Sequence, residues 1–276
     1  MNQLQKAERL KALHERDELF VIPNPWDAGS AKLLARMGFE ALTTTSAGLA
    51  FQLGRPDGLA QVSRDETLFN AAQIAAAVNL PVAADLENGF GHRPEDVAET
   101  IRAAADVGLV GGSIEDATGD PQNPIYDFSL ALERVQAAVE AKNALAFPFQ
   151  FVARAENFLH GREDFDDTLR RLVAFEKAGA DMLFAPGLPS LDAIRIVCET
   201  LARPVTVVMG FSGGTYSLAE LAGAGVRRVS TGGSLARAAL TGLQSAATEI
   251  LETGTFGYAH TIVTSSAMNR LMSGDE

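Results

Sequence analysis

Residues 71–86, AAQIAAAVNLPVAADL, read as one helix followed directly by one strand. Ala71, Ile74, Ala75 and Val78 lie three or four apart and share a helical face, whereas PVAADL is an apolar run of strand length. The same alternation extends outward in both directions. Apolar or β-branched runs recur as LFVIP (19–23), ALTTT (41–45), PVAADL (81–86), LVGGSIE (109–115), FQFVARA (149–155), DMLFAP (181–186), PVTVVM (204–209) and VRRVST (226–231). Helical patterns such as Phe128, Leu132, Val135 and Val139 fill the intervals. Strands that are apolar nearly throughout are covered on both faces, and the helix after each one supplies a parallel crossover. Glycine stands at the helix-to-strand turns in RMGFEAL, DVGLVGG, KAGADML and GAGVRRV, where a left-handed cap is needed. Eight such units in about 250 residues predict a TIM-type (β/α)8 barrel. The rival, a doubly wound sheet, would carry a switch-point fingerprint that is missing here.

Composition narrows the function. The 276 residues carry 23 Lys and Arg against 35 Asp and Glu, a net charge of −12. That field repels phosphate, so neither nucleic acid nor a membrane is expected as a partner. A 47% hydrophobic, 21% charged chain can bury a full core. The single cysteine, Cys198, excludes a disulfide framework, a cysteine zinc site and a Cys-x-x-Cys pair. Its place in the pattern Ile194, Val197, Cys198, Leu201 makes it a core residue rather than a nucleophile. No apolar stretch has the length of a signal peptide or membrane span, so a cytoplasmic location is expected. No linker divides the chain: residues 1–254 are expected as the barrel and 255–276 as a C-terminal helical arm, with an extra helix from Tyr258 to Met272.

Catalytic groups of such barrels sit at the carboxyl ends of the strands. Strand 3 ends in Asp85, Leu86 and Glu87, and alternation puts both acids on one side. Strand 4 ends in Glu115 and Asp116. Acids converging on one rim repel unless shared protons or a divalent cation compensate, and hard oxygen ligands suit Mg2+ or Mn2+. The same acids could instead cap helices or form ion pairs. Strand 5 ends in Arg154, Ala155 and Glu156. The planar fork of Arg154 can clamp a substrate carboxylate, or pair with a neighbouring acid. The turn Thr45, Ser46, Ala47, Gly48 could bring backbone amides to an anion. GFSGG (210–214) and TGGS (231–234), with Gly213 and Gly233, stand where many barrels hold phosphate, and tight turns need glycine as well. His92 and His160 follow strands 3 and 5 as proton carriers or plain solvated histidines. No Ser-His-Asp ordering, Walker loop or dinucleotide fingerprint is recognisable.

Taken in order, these motifs resemble the isocitrate lyase/phosphoenolpyruvate mutase superfamily from about Phe20 to Gln244. NPWDAGSAKLLARMGFEAL is similar to its opening, TTSAGLAFQLGRPDG to its pyruvyl-binding turn, and ADLENGFG to its metal motif. GGSIEDA is similar to the strand with a metal-linked glutamate, and VARAEN to the strand with the substrate arginine. The resemblance implies Asp85 as a direct Mg2+ ligand, Glu87 and Glu115 as ligands through water, and Asp57 as an outer acid. It also implies Arg154 on the substrate carboxylate, beside Glu156, with Thr45 and the amides of Ser46 and Ala47 on the pyruvyl end.

The departures are as informative. The lyases of this superfamily carry a cysteine and a histidine in the loop after strand 4. Here that loop reads ATGDPQNPIYD. Thr43 replaces an aromatic residue of the pyruvyl turn, and VMGFSGG replaces the pattern that holds a second carboxylate after strand 7. The mutase and phosphonopyruvate hydrolase loop is not matched either. Superfamily chemistry passes through an enolate of the pyruvate type, stabilised by the metal at the carboxylate and carbonyl oxygens. What is missing is the acid/base apparatus for aldol-type cleavage. Decarboxylation of a 3-carboxylated 2-oxo acid such as oxaloacetate needs no base, which makes it the first expectation, with Asp85, Glu115 and Arg154 as catalytic groups. A carbon–carbon lyase on a 2-hydroxy or 2-oxo dicarboxylate is the second, and a 2-oxo acid binding protein with little turnover the third. A phosphosugar-handling barrel would need a strand-end lysine that is absent. Family members exchange a C-terminal helix between barrels, so a homotetramer built as a dimer of dimers is implied.

Overall fold

The computed structural model describes residues 1–210 and 215–273. Its strands are β1 (Phe20–Ile22), β2 (Leu42–Thr43), β3 (Val82–Asp85), β4 (Gly111–Glu115), β5 (Gln150–Arg154), β6 (Met182–Phe184), β7 (Val205–Val208) and β8 (Arg228–Ser230). The helices are α1 (Gln3–Glu15), α2 (Ala28–Arg36), α3 (Ser46–Gln52), α4 (Arg64–Ala77), α5 (Pro94–Asp106), α6 (Phe128–Asn143), α7 (Phe165–Ala178), α8 (Leu191–Thr200), α9 (Leu218–Gly223), α10 (Ser234–Thr253) and α11 (Ser265–Ser273). All strand pairs are parallel, in the order β1-β8-β7-β6-β5-β4-β3-β2. The seam between β1 and β2 is bridged by the Thr43 amide donating to Pro23 O at 3.1 Å, which brings the sheet close to a closed TIM-type (β/α)8 barrel. Each run read as a strand contains one. The four cap glycines, Gly38, Gly108, Gly179 and Gly225, adopt φ between +92° and +108°, where a side chain would be strained.

The main core lies between the barrel and its helices, with Leu42, Ile74, Leu86, Ile101, Phe149, Phe151, Leu172 and Phe175 at 0–1% exposure. Burying each such side chain stabilises the fold by roughly 1.5–3 kcal/mol. Helix α1 closes the amino end of the barrel: Ala7, Leu10 and Leu13 pack on Phe20, Ile22 and Ala83. Its last turn also lowers His14 into the barrel, where Nδ1 meets Gln150 Oε1 at 3.1 Å and Nε2 faces Arg228 Nη1 at 3.3 Å. Burial, then the Arg228 charge, depresses the His14 pKa to about 3. The ring is therefore neutral, with Nδ1–H donating and Nε2 accepting.

Two expectations change in detail. The helix expected from Tyr258 to Met272 is a short 3-10 turn, Gly257–His260, followed by α11. Glu249 accepts from the Gly257 and Tyr258 amides at 2.5 and 3.0 Å and turns the chain back. The β-branched run Thr261, Ile262, Val263, Thr264 then delays the helix. Helix α11 rests near α2, where Lys32 Nζ donates to Met272 O at 2.8 Å. Cys198 is half-buried against Val226 and Leu221 rather than fully enclosed. Burial raises its thiol pKa to about 11, which leaves it unreactive. No helix among the described residues is long and apolar enough to cross a membrane.

Candidate active site

A cavity of about 970 Å³ opens at the carboxyl end of the barrel and brings Thr45, Ser46, Ala47, Asp57, Asp85, Glu87, Glu115, Arg154 and Glu156 together. These are the residues singled out from the sequence. Arg154 lies at their centre with its side chain 12% exposed. Nη1 meets Asp85 Oδ1 at 3.0 Å, Nη2 meets Glu115 Oε2 at 3.1 Å, and Nε meets Glu156 Oε1 at 2.8 Å. The guanidinium carbon is 5.2 Å from the centre of the Phe184 ring.

Asp85 ends β3 and is held from several sides. Its Oδ2 accepts from Ser46 Oγ at 2.9 Å and from the Ser46 amide at 3.4 Å, and its own amide donates to Thr44 Oγ1. The Ser46 amide, expected on the pyruvyl end, therefore meets Asp85 here. Thr45 is the N-cap of α3, with Oγ1 accepting from the Gly48 amide at 3.2 Å. β2 stops at Thr43 because Thr44 and Thr45 turn into that cap.

Glu87 reaches the cavity by a route that alternation does not describe. β3 ends at Asp85, and Glu87 adopts φ +47°, so a left-handed turn and not a strand aims its side chain. Asp116 departs from the acidic rim altogether. It is 4% exposed and points away from the cavity, where Oδ2 meets Arg171 Nη1 at 2.9 Å and Oδ1 accepts from the Glu156 amide at 2.8 Å. Consecutive residues leave a strand on opposite faces, so Glu115 and Asp116 could not both face in.

One guanidinium is shared among three of these carboxylates. Burial, followed by Asp85 and Asp57, pushes Glu87 up to about 7. Burial likewise raises Glu115 well above its ordinary value and raises Glu156, although Arg154 opposes both shifts. Asp57, on the loop at the cavity mouth, is raised by partial withdrawal from water and then by Asp85. Burial and mutual repulsion raise these acids, and a divalent cation would relieve both effects. Among the described residues no three acid, histidine or cysteine side chains stand close enough to ligate one ion directly. Hard carboxylate oxygens are donors that a divalent cation prefers, and an ion here would draw the rest of its shell from water.

His160 lines the cavity, and burial, then Arg154 and Arg162, lower its pKa. His92 lies at the mouth with Nδ1 2.8 Å from Tyr126 Oη. Of the phosphate candidates, Gly213 lies outside the described residues. Gly233 lines the cavity, and a Cβ there would come within 2.9 Å of Ala47 Cβ, so packing alone requires glycine. Asn24 escaped notice in the sequence. Its Oδ1 accepts from the Thr231 and Gly232 amides at 2.8 and 2.9 Å and its Nδ2 donates to Thr44 O at 2.7 Å, fastening β8, β1 and β2 together at the rim. A polar residue just past the apolar run 19–23 was the available signal.

Fold and site together define a parallel (β/α)8 barrel whose carboxyl-end cavity gathers acids around one buried arginine. The family model for phosphoenolpyruvate phosphomutase matches residues 10–251, and the chain belongs to that family, within the isocitrate lyase/phosphoenolpyruvate mutase superfamily. A crystal structure from Burkholderia cenocepacia J2315, described only provisionally as a lyase/mutase, superposes with a TM-score of 0.96 at 55% identity, covering 98% of this chain and 96% of that one. The structure of oxaloacetate acetylhydrolase in complex with the product oxalate gives a TM-score of 0.89 at 26% identity, over 99% of this chain and 95% of that one. The 2-methylisocitrate lyase of Aeropyrum pernix (strain K1) is 28% identical over 254 residues, 89% of this chain and 80% of its own.

Proposed function

We propose that this chain is a Mg2+-dependent lyase, with Mn2+ as a substitute, that breaks the bond at carbon 3 of a 2-oxo acid, oxaloacetate decarboxylation being the favoured reaction. The observation that carries this reading is Arg154 held between Asp85 and Glu115, beside a loop, 117–127, that holds neither thiol nor imidazole. The substrate carboxylate takes the donors Nη1 and Nη2, while Nε stays on Glu156 and keeps the fork oriented. Thr45, Ser46 and Ala47 border the space for the pyruvyl end. When bound, a divalent cation supplies Lewis-acid stabilisation to the charge that develops on the 2-oxo oxygen. Asp85 would hold it directly and Glu87 and Glu115 through water, with Asp57 beyond them. Departing carbon dioxide leaves its electron pair on carbon 3, so no residue has to remove a proton, and carbon 3 then takes a proton from water to give pyruvate.

Likeness to oxaloacetate acetylhydrolase favours a second reading, a carbon–carbon lyase acting on a 2-hydroxy or 2-oxo dicarboxylate, in which the bond broken joins carbons 2 and 3 rather than carbons 3 and 4. One assay separates them: with Mg2+ and oxaloacetate, decarboxylation yields pyruvate, whereas hydrolysis yields oxalate. Oxaloacetate that binds and is not consumed would leave a 2-oxo acid binding protein.

Assembly as a homotetramer, a dimer of dimers with segment 255–276 at an interface, completes the proposal. Along the 20 residues of α10 only Ala236 is buried, while Leu243 and Leu251 are 66% and 86% exposed, as is Phe256 at 61% just beyond. An apolar stripe of this length on an isolated barrel calls for a partner. Light scattering that gave a monomer mass, or a chain ending at Gly254 that stayed assembled, would contradict it.

A further inference from the structure

Arg134, on α6, is 1% exposed, yet among the described residues it forms no ion pair. Its donors converge on one loop. Nη1 donates to Gly91 O at 2.8 Å and to Arg93 O at 3.5 Å, and Nη2 donates to Asn88 O. Its guanidinium carbon is 4.3 Å from the centre of the Tyr126 ring, whose hydroxyl meets His92 of the same loop. Nε has no hydrogen-bond partner among the described residues. Burying a guanidinium without a carboxylate is costly and must be offset by what it holds.

What it holds is a strained turn. Glu87, Gly89 and Phe90 have φ of +47°, +82° and +58°. Two are not glycine, and such residues cost roughly 1–3 kcal/mol each unless their surroundings over-determine them. Fixation comes from both ends. Glu87 O accepts from the Glu115 amide at 2.9 Å, Gly89 O accepts from Thr100 Oγ1 at 2.8 Å, and Arg134 fastens the carbonyls of Asn88 and Gly91. The strained residue nearest Asp85 is Glu87, whose carboxylate the turn aims into the cavity.

We propose that Arg134 is a positioning residue for the divalent-cation site: by clamping the 88–91 carbonyls it holds Glu87 in the left-handed conformation that sets its carboxylate beside Asp85. This rests on the reading of Asp85 and Glu87 as the cation-holding acids. Arg134 touches neither cation nor substrate and acts through backbone alone.

The test is Mn2+ affinity of the full chain, read by electron paramagnetic resonance without substrate, in wild type, Arg134→Lys, Glu87→Gln and the double variant. Lysine keeps the charge but offers a single nitrogen in place of the planar fork whose two nitrogens reach Gly91 O and Asn88 O separately. Arg134→Lys should weaken Mn2+ binding about tenfold, as loss of a ligand-orienting partner does. In the Glu87→Gln background the same change should weaken it less than twofold, because the group it positions has already lost its charge. A general packing defect would lower affinity equally in both backgrounds, and that result overturns the proposal, as does an unchanged Arg134→Lys. Wild type that binds no Mn2+ overturns the cation reading itself, and this inference with it.

Discussion

Arg154 and Asp85 stand 69 positions apart in the chain, yet Nη1 and Oδ1 meet at 3.0 Å at the carboxyl ends of β5 and β3. β4 lies between those strands and adds Glu115 to the same guanidinium. The pairing joins the two residues to which the proposed function gives the substrate carboxylate and the cation, so on that reading charge at either residue bears on what the other binds.

Asp85→Ala removes that acid while leaving Glu87 and Glu115, which act through water in the proposed site. Mg2+ affinity should fall by on the order of 10²-fold or more, and Mg2+-dependent turnover with it. Titration calorimetry showing unchanged affinity would remove Asp85 from the site.

His14 predicts acid sensitivity at the opposite end of the barrel. Its folded pKa of about 3 lies below the ordinary 6.5, so the unfolded chain takes up the proton first. Stability is whole above pH 6.5 and is lost as the pH falls towards 3, by about 2 kcal/mol at pH 5. Urea unfolding at pH 7 and pH 5 should show this difference in wild type and a much smaller one in His14→Gln. Equal differences in both would exonerate the imidazole.

The Asp116–Arg171 pair is buried on both sides, with side chains 3% and 6% exposed. Arg171→Met leaves a carboxylate uncompensated and should cost about 3–5 kcal/mol. Adding Asp116→Asn should restore part of that loss, because the amide carries no charge and still accepts from the Glu156 amide. Chemical denaturation of the two variants decides it.

Isocitrate and 2-methylisocitrate should be poor substrates. Of the three ionisable groups in loop 117–127, Asp120 is committed to the Gln122 amide, Tyr126 to His92 with its pKa raised by burial, and Asp127, at the start of α6, does not line the cavity. Loss of a tuned acid or base costs roughly 10²–10⁴ in rate. Side by side with Mg2+, oxaloacetate should disappear faster than succinate is released from either tricarboxylate. The reverse order would show that another proton carrier, such as His160 or Tyr126, does the work.

The barrel was legible in the sequence because its signals are local. Apolar runs, three-to-four spacing and cap glycines each lie within one element, and every strand formed inside its predicted run. Asp85, Glu115 and Arg154 were legible too, since a polar residue at the end of a barrel strand has one place to point. Glu87 and Asp116 show where that logic stops. Two-residue alternation holds only while the chain stays a strand: it missed the left-handed turn that aims Glu87 and was silent on the α7 arginine that draws Asp116 away. Arg134, Arg171 and Asn24 act across elements distant in sequence, and side-chain reach between packed elements follows no periodicity. Only the closed tertiary structure decides which buried cation meets which oxygen, because burial makes every unmet polar group costly and the packing determines which partners are within reach.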